Sequence, residues 1–443
     1  MIKEKRDFLF KYFYTLNIEG VFYFVYGEYE DLPYDNGNSD IDMIISPSDF
    51  NLGISILNKI ARNDNVDVVS YYYGPNSCFV RFMTTEWGLQ FDIISAFYHK
   101  DKIYYPTDYL KNDIVIHNNV VKVLKIEVGY YVDFFKEMTH ISTVKDKYVR
   151  GFIAEYSKNE DRKKQLKVLY GEEFTNIIDN HLQYEAIVSV LPELRLFLKR
   201  KLHPSIITLG RLKRRLFSFK RLFLPPGYVI AVLGTDGSGK STIIDGITAI
   251  MNEAFHKGVL YHHLRPCWLP SLGVLIGRRE KTVQQSVCTN PHSSKPSGLL
   301  GSLIRWAYYL IDYSLGYLKK IWISKHTKSH VHIFDRYYYD YYIDPYRLRV
   351  KLPRWIIRVG ELFVPSPDII LCLGGDPNLI YERKPETSLE EVTRQNERLW
   401  HFCDKRKNAV WIDTTQSIEK SINDAMKAIH EMMAKRFANL TIK

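Results

Sequence analysis

The sequence predicts an α/β protein in which an N-terminal α+β domain with a helical extension precedes a domain built on a parallel sheet. In residues 227–443, short apolar runs alternate with helical segments, which indicates parallel strands covered by helices on both faces. Residues 1–125 combine short strands with a helix and a hairpin, and apolar residues in 126–205 recur at helical spacing. We therefore predict three folded parts, the last two joined by a basic linker helix at 206–226.

The N-terminal elements follow from the positions of the apolar residues. Residues 21–26 and 40–46 are predicted as buried strands, 50–62 as a helix, and 77–84 with 88–95 as a β-hairpin. The residues that indicate helices in the extension are Tyr130, Tyr131, Phe134, Phe135, Ile187, Val188, Val190 and Leu191.

Four strands are predicted for the C-terminal domain, at 228–233, 331–334, 369–373 and 409–412. The main boundary lies before them, because the sequence Pro-Pro-Gly at 225–227 cannot continue a helix. Ligands of parallel sheets bind at the carboxyl ends of the strands, so functional residues are expected there.

Positive charge is concentrated in one segment. The 443 residues carry a net charge of +11, and ten basic residues with no acidic one lie between Arg195 and Arg221. Residues 211–223 form a basic amphipathic helix on a helical wheel, which suits an anionic membrane surface, an acidic partner or nucleic acid. The alternative is a helix that only links the domains. No nucleic-acid-binding module accompanies the segment, so no specific nucleic-acid partner is expected.

The composition indicates a globular protein, with 46% hydrophobic and 25% charged residues. The N-terminus lacks the apolar core of a signal peptide, and charges interrupt the apolar stretch 299–324. Five widely spaced cysteines show no CxxC pattern. We expect a cytoplasmic protein, with peripheral attachment to the inner face of a membrane as the alternative.

A phosphate-binding loop (P-loop) of the pattern GxxxxGK[ST] follows the strand at 228–233 and precedes a helical segment. Its glycines allow backbone N–H groups to surround phosphate oxygens. Lys240 is expected to contact the β and γ phosphates of ATP, and Ser241 to ligate Mg²⁺. The residues predicted to bind the nucleotide are Gly234, Thr235, Gly237, Ser238, Gly239, Lys240, Ser241 and Thr242.

Two further acidic positions belong to this predicted site. Asp335 ends the second strand and is expected beside the nucleotide-bound Mg²⁺, and the neighbouring Arg336 can bind a phosphate group. Asp236 lies inside the P-loop, and the resemblance of this loop to that of P-loop kinases implies that Asp236 faces the acceptor side. It would then orient a sugar hydroxyl and accept its proton, or it would only fix the loop through backbone N–H groups.

The sequence GTDGSGKST, the FDRYY sequence about 95 residues later and PDIILCL before a basic helix resemble the thymidylate kinase family, over roughly residues 227–437. The resemblance implies that Arg336 contacts the phosphate of the acceptor. It also implies a mobile lid that supplies Arg383, or alternatively Arg394, to the transferring phosphoryl group. Both arginines also fit a solvated helix face paired with glutamates. Residues 261–266 depart from the Arg-Glu-Pro-like segment of that family.

Carboxylates in the first domain suggest a second site. Asp40 and Asp42 share one face of a strand, and Asp92 on a neighbouring strand would complete a triad for Mg²⁺. The spacing resembles the polymerase-β-like nucleotidyltransferase superfamily over roughly residues 5–125. Glu28 replaces the small residue that follows glycine in that family. An active transferase, a copy used for substrate recognition and a structural Asp-x-Asp turn remain open.

We therefore expect an ATP- and Mg²⁺-dependent kinase that phosphorylates a sugar or glycolipid acceptor in bacterial surface polysaccharide biosynthesis. A nucleoside monophosphate kinase of the dTMP type and an Mg²⁺-dependent nucleotidyltransferase are the enzymatic alternatives. A nucleotide-dependent switch or scaffold without turnover is the third. The oligomeric state does not follow from the sequence.

Overall fold

The computed structural model describes residues 3–37, 39–74, 76–99, 102–140, 143–202, 219, 221–270, 272 and 298–438. These residues form two compact units, one built largely from residues up to 202 and the other largely from residues after 220. The fold class is confirmed: both units are mixed α/β, and the second has an all-parallel sheet.

The first unit contains a mixed sheet of seven strands in the order β3-β4-β5-β2-β1-β9-β8. Strands β6 and β7 form a separate two-stranded sheet. The strands are β1 (Tyr23–Val25), β2 (Ile41–Ile45), β3 (Asp67–Gly74), β4 (Ser77–Met83), β5 (Gly88–Ile94), β6 (Phe97–His99), β7 (Lys102–Tyr105), β8 (Ile114–His117) and β9 (Val121–Leu124). The predicted strands at 21–26 and 40–46 and the predicted hairpin are thus present. Strand β2 pairs in parallel with β5, and this pairing sets the positions of the acidic residues described below.

The helices of this unit are α1 (Lys3–Ile18), α2 (Phe50–Asn63), α3 (Ile126–His140), α4 (Asp146–Lys158), α5 (Glu160–Tyr170), α6 (Glu172–Asp179) and α7 (Tyr184–Lys201). Helices α3 to α7 make up the helical extension, whose core is aromatic. The rings of Phe134 and Phe152 stack with their centroids 4.1 Å apart, and Phe135 and Tyr170 are also buried. Arg162, buried beside this core, pairs with Asp113 and Glu155.

The second unit is built on a five-stranded parallel sheet in the order β11-β12-β10-β13-β14. Its strands are β10 (Tyr228–Gly234), β11 (Val259–His263), β12 (Val331–Asp335), β13 (Ile369–Gly374) and β14 (Ala409–Asp413). The sequence predicted four of them. The edge strand β11 was not predicted. Its sequence, VLYHH, has only two aliphatic residues and ends in two histidines, which do not suggest a buried strand.

The helices of this unit are α8 (Lys240–Ala254), α9 (Leu299–Ile311), a π-helical turn region (Asp312–Trp322), α10 (Ile323–Thr327), α11 (Asp340–Ile343), α12 (Arg354–Glu361), α13 (Pro377–Arg383), α14 (Leu389–Asp404) and α15 (Ile418–Phe437). Val229, Ala231 and Leu233 of the central strand share one core with Leu399 and Phe402 of α14. Because side chains of a strand alternate between faces, the intervening residues of β10 point to the opposite face.

The run of tyrosines after β12 belongs mainly to the core. Tyr337, Tyr338, Tyr339 and Tyr341 are all buried in the cluster that covers one face of the parallel sheet. The hydroxyl of Tyr338 donates to the carbonyl of Ile357 and so joins this segment to α12.

Two expectations about membranes have different outcomes. None of the helices in the described parts of the chain combines the length and the apolar character that crossing a bilayer requires. Most of the helix predicted at 206–226, namely residues 206–218 and 220, lies outside the described residues. Its association with an anionic membrane stays a prediction.

Candidate functional site

The P-loop connects the buried strand β10 to helix α8 and depends on glycine at three positions. Gly237 and Gly239 have positive φ angles of 86° and 76°. A Cβ atom at Gly237 would lie 2.4 Å from the carbonyl oxygen of Ile380, and one at Gly234 would lie 2.4 Å from the Ser238 hydroxyl. Larger residues would therefore clash or strain the loop.

Lys240 is the first residue of α8 and is 9% exposed. Its Nζ donates to the carbonyl oxygens of Gly234 and Thr235, at 3.1 and 2.6 Å. Burial, with the nearby Arg336, lowers the pKa of Lys240 to about 7, although Asp236 acts in the opposite direction. An incoming phosphate would favour the charged form of this amine.

The other predicted nucleotide-binding residues surround this lysine. The Ser238 hydroxyl is buried and donates to the Thr235 carbonyl at 2.8 Å, a hydrogen bond within the loop that stabilises its turn. The Thr235 hydroxyl is buried without a hydrogen-bond partner among the described residues. Ser241 and Thr242 are exposed on the first turn of α8, where their hydroxyl groups are accessible to a ligand.

Asp335 ends β12 and pairs in register with Val232 of β10, so the neighbouring strand brings its carboxylate to the P-loop edge of the sheet. Its Oδ2 accepts from the Tyr261 hydroxyl at 3.1 Å and contacts His263 Nδ1 at 3.3 Å. Burial opposes ionisation, but the hydrogen bond from His263 and the charge of Lys240 lower the pKa of Asp335 to about 2.

The residues predicted to hold Mg²⁺ fit that ion chemically. Asp335 is 9% exposed, and its Oδ1 has no hydrogen-bond partner within the described ranges. The accessible hydroxyl of Ser241 is the second predicted ligand. An ionised carboxylate oxygen and a hydroxyl are donors that Mg²⁺ prefers when it also binds phosphates and water.

Asp236 is held by two arginines. Its Oδ1 accepts from Arg336 Nη2 at 2.6 Å, and its Oδ2 accepts from Arg347 Nη1. Arg336, which is 3% exposed, also donates from Nη1 to Asp340 Oδ2 at 3.0 Å. Burial raises the pKa of Asp236, but Arg336, Lys240 and Arg347 outweigh burial and hold this pKa well below its usual range. The carboxylate is therefore ionised and fully engaged.

Arg347 was missed by the sequence analysis. It lies 111 residues after Asp236, in an irregular segment between α11 and α12 that matches no motif. Tyr261 and His263 were also missed as site residues, because the strand that carries them was not predicted. Their positions beside Asp335 depend on the pairing of β11 with β12.

The segment that departs from the thymidylate kinase pattern is ordered by a buried ion pair. Arg265 donates to Asp312 at 2.5 Å, and the same carboxylate accepts the backbone N–H groups of Trp268 and Leu269 at 2.8 and 2.9 Å. Arg265 is 8% exposed and Asp312 is fully buried. This arginine is thus used to fix a loop.

The two predicted lid arginines have different surroundings. Arg383 ends α13 and donates from Nη1 to the carbonyl of Thr414 at 2.8 Å. Arg394 lies on the exposed face of α14, 3.8 Å from Glu390. Neither contacts Lys240 or Asp335 in the structure, so their lid roles stay predictions. From the same part of the chain, Ile380 and Lys384 lie against the P-loop: a Cβ at Gly237 would be 2.4 Å from the Ile380 carbonyl oxygen and 3.3 Å from the Lys384 Cβ.

In the first unit the three predicted carboxylates lie together. Asp42 of β2 is the register partner of Asp92 of β5, and oxygen atoms of Asp40, Asp42 and Asp92 lie within 4.8 Å of one another. Burial, opposed by Lys136 and reinforced by the other two carboxylates, raises the pKa of Asp42 to about 7. Three partly buried oxygen ligands of this kind fit a divalent cation.

Lys136 of α3 was not predicted from the sequence and lies in this cluster. Its Nζ is 3.6 Å from Asp42 Oδ2 and 5.3 Å from the centre of the Tyr26 ring. Gly27, with a φ of 89°, approaches the same carboxylate, because a Cβ there would be 3.8 Å from Asp42 Oδ2. The exposed Glu28 follows this glycine.

Comparison with solved structures finds a similarity to a thymidylate kinase. The crystal structure of thymidylate kinase from Ehrlichia chaffeensis is 16% identical in sequence and matches 46% of this chain and 100% of its own, with a TM-score of 0.31. No protein-family model matches the chain. No curated protein matches it either. The likeness is too weak to carry a functional conclusion, which depends on the residues of the site.

Proposed function

We propose that the second unit transfers the γ-phosphoryl group of ATP to an acceptor that itself bears a phosphate group. The P-loop supports the first part of this proposal, the use of ATP as donor. Lys240 begins α8, and the glycines of the loop allow backbone N–H groups to face phosphate oxygens. In the described parts of the chain, Asp335 of the adjacent strand has one oxygen without a hydrogen-bond partner. Mg²⁺ held by Ser241 and Asp335 would neutralise charge on the phosphates during transfer.

The hydrogen bonds that Asp236 accepts from two arginines support the second part of the proposal, that the acceptor bears a phosphate group. A sugar hydroxyl would need a carboxylate to accept its proton, whereas a phosphate acceptor is already an anion. Both oxygens of Asp236 accept hydrogen bonds from arginines, and its pKa is held well below its usual range. Asp340 is 1% exposed and pairs with Arg336. Neither carboxylate is thus suited to act as a general base on a hydroxyl acceptor.

The arginines that hold Asp236 have the chemistry to bind a phosphate. A guanidinium has five N–H donors. Arg336 uses both of its Nη atoms to donate to Asp340 and Asp236, and Arg347 uses one Nη atom to donate to Asp236. The remaining donors of Arg347, which is 19% exposed in its side chain, can form charge-assisted hydrogen bonds to an acceptor phosphate. A sugar or glycolipid hydroxyl acceptor in polysaccharide biosynthesis finds no support in these residues.

ADP release in the presence of ATP, Mg²⁺ and a panel of acceptors tests this function. The panel contains nucleoside monophosphates, sugar phosphates, free sugars and glycolipid extracts. We expect turnover only with members that carry a phosphate and none in the Lys240→Ala variant. Turnover of free sugars alone would show that the acceptor class is wrong. Unchanged ATP binding in Lys240→Ala and Gly239→Val would exclude the kinase altogether.

The convergence of three carboxylates supports a second activity for the first unit, Mg²⁺-dependent nucleotidyl transfer. Asp40, Asp42 and Asp92 would hold the metal, which would supply positive charge to the triphosphate of the nucleotide. Asp42→Asn is expected to abolish pyrophosphate release and Lys240→Ala to leave it intact. Loss of pyrophosphate release in Lys240→Ala but not in Asp42→Asn would assign all nucleotide chemistry to the P-loop. Absence of pyrophosphate release from the unmodified protein would leave the triad with a recognition role only.

A further inference from the structure

A second pocket in the P-loop unit is lined mainly by basic side chains. It encloses about 540 Å³ and lies between helices α12 and α14. The charged residues in its wall are Arg354, Arg358, Arg398, Lys405, Arg406 and Glu361. Five cationic groups thus face one carboxylate. The pocket shares no lining residue with the P-loop site.

The single carboxylate of this pocket is already neutralised. Glu361 pairs with Arg406 and accepts a hydrogen bond from the Tyr342 hydroxyl at 2.6 Å. The Arg406 guanidinium lies against the rings of Tyr339 and Phe402, 4.5 and 4.4 Å from their centres. Aromatic contact and the ion pair hold this arginine in a fixed orientation.

Arg398 is partly compensated by the protein. It donates to the carbonyl of Ile343 at 3.2 Å and lies 3.5 Å from Glu391. Ile343 ends α11, the short helix whose first residue, Asp340, pairs with Arg336 of the P-loop site. One wall of the basic pocket is therefore built on the helix that also supports the acceptor side of the P-loop site.

The other three cations have no such compensation. Within the described part of the chain, no carboxylate lies within ion-pair distance of Arg354, Arg358 or Lys405. Arg354 and Arg358 are four residues apart on α12, a spacing at which like charges destabilise a helix. Arg354 also lies in the first turn, where the helix dipole disfavours a cation. All three side chains are exposed to solvent, and Arg358 lies in the last turn of α12, where the helix dipole favours a cation.

We propose that this pocket binds a small organic molecule through its phosphate group, at a site separate from the P-loop. Arginine forks match phosphate oxygens in pairs, and three uncompensated cations suit a dianion better than a carboxylate. The volume is typical of sites for small organic ligands and exceeds that of a phosphate alone. Phe402 and Tyr342 offer apolar surface to the organic part. This inference does not depend on the function proposed for the P-loop.

Calorimetric titration with inorganic pyrophosphate tests the site in the full chain. The Lys240→Ala variant serves as background, so that the P-loop does not contribute. In that background we compare Arg354→Gln/Arg358→Gln/Lys405→Gln with a control that removes three exposed charges from α15, Lys420→Gln/Lys427→Gln/Lys435→Gln. We expect pyrophosphate to bind the background and the control alike, and at least tenfold more weakly to the pocket variant.

Two results would overturn the proposal: no pyrophosphate binding once Lys240 is replaced, or equal binding by the pocket variant and the control. A spectroscopic thermal melt checks that all variants are folded. The phosphate can belong to a soluble ester or to a lipid headgroup. Competition by phosphatidylcholine vesicles with 20% phosphatidic acid, compared with vesicles of phosphatidylcholine alone, assigns the lipid source. Competition by a soluble sugar phosphate and not by vesicles assigns the soluble one.

Discussion

Arg336 donates a hydrogen bond to Asp236 over 2.6 Å, and this contact joins the end of β12 to the P-loop. The two residues are 100 positions apart in the chain. Arg336 has a positive φ of 71°, and its own N–H donates to the Val232 carbonyl at 2.9 Å, so the backbone is fixed as firmly as the side chain. The fold thus fixes Arg336 against Asp236.

The first prediction concerns this ion pair. In a double-mutant cycle of Asp236→Asn and Arg336→Gln, we expect a coupling free energy of about 1–3 kcal/mol, because either single change leaves a buried partner incompletely paired. Chemical denaturation of the unit that contains the P-loop measures it. Asp236→Asn combined with Arg394→Gln is the control and should be additive. Additivity within about 0.5 kcal/mol for the first pair would contradict the prediction.

The second prediction concerns the pH dependence of ATP binding. The pKa of Lys240 is lowered to about 7, so the amine is mostly neutral at pH 8, and a bound triphosphate should restore its charge. ATP binding should therefore take up more protons at pH 8 than at pH 6, and affinity should fall as pH rises above 7. Calorimetry in two buffers of different ionisation enthalpy measures the uptake. Equal uptake at both values of pH would show that Lys240 does not titrate in this range.

The third prediction concerns the backbone of the P-loop. Gly237→Ala places a Cβ 2.4 Å from the Ile380 carbonyl at a φ of 86°, and we expect a loss of about 1–3 kcal/mol of stability together with weaker ATP binding. Gly298→Ala is the matched control, since a Cβ there meets nothing within 4 Å. Thermal unfolding and nucleotide titration of both variants test this. A stable Gly237→Ala protein with unchanged affinity would show that the loop has room to rearrange.

The fourth prediction concerns the metal. Asp335→Asn keeps the shape of the side chain but removes the charge of the oxygen that has no partner in the described residues. The Mg²⁺ concentration needed for half-maximal ADP release should rise about 10- to 100-fold. Asp404→Asn, an exposed carboxylate at the end of α14, is the control. An unchanged Mg²⁺ requirement in Asp335→Asn would place the metal elsewhere.

The sequence determined the features that are local in the chain. The glycines, Lys240 and Ser241 of the P-loop lie within nine consecutive residues, and the strand before them and the helix after them follow from apolar spacing. Strand periodicity also predicted that Asp40 and Asp42 share one face. The parallel pairing of β2 with β5 is what places Asp92 beside Asp42.

Contacts between charged residues that are far apart in the chain depend on the tertiary structure. Arg347 matches no motif, and its contact with Asp236 exists because the segment after α11 returns to the P-loop. The edge strand β11 brings Tyr261 and His263 to Asp335, and the basic pocket joins helices that lie about 40 residues apart. Spacing along the chain cannot specify such contacts, since they depend on the order and register of strands and on helix packing. The P-loop therefore indicated a nucleotide, and the fold brought Arg336 and Arg347 to Asp236.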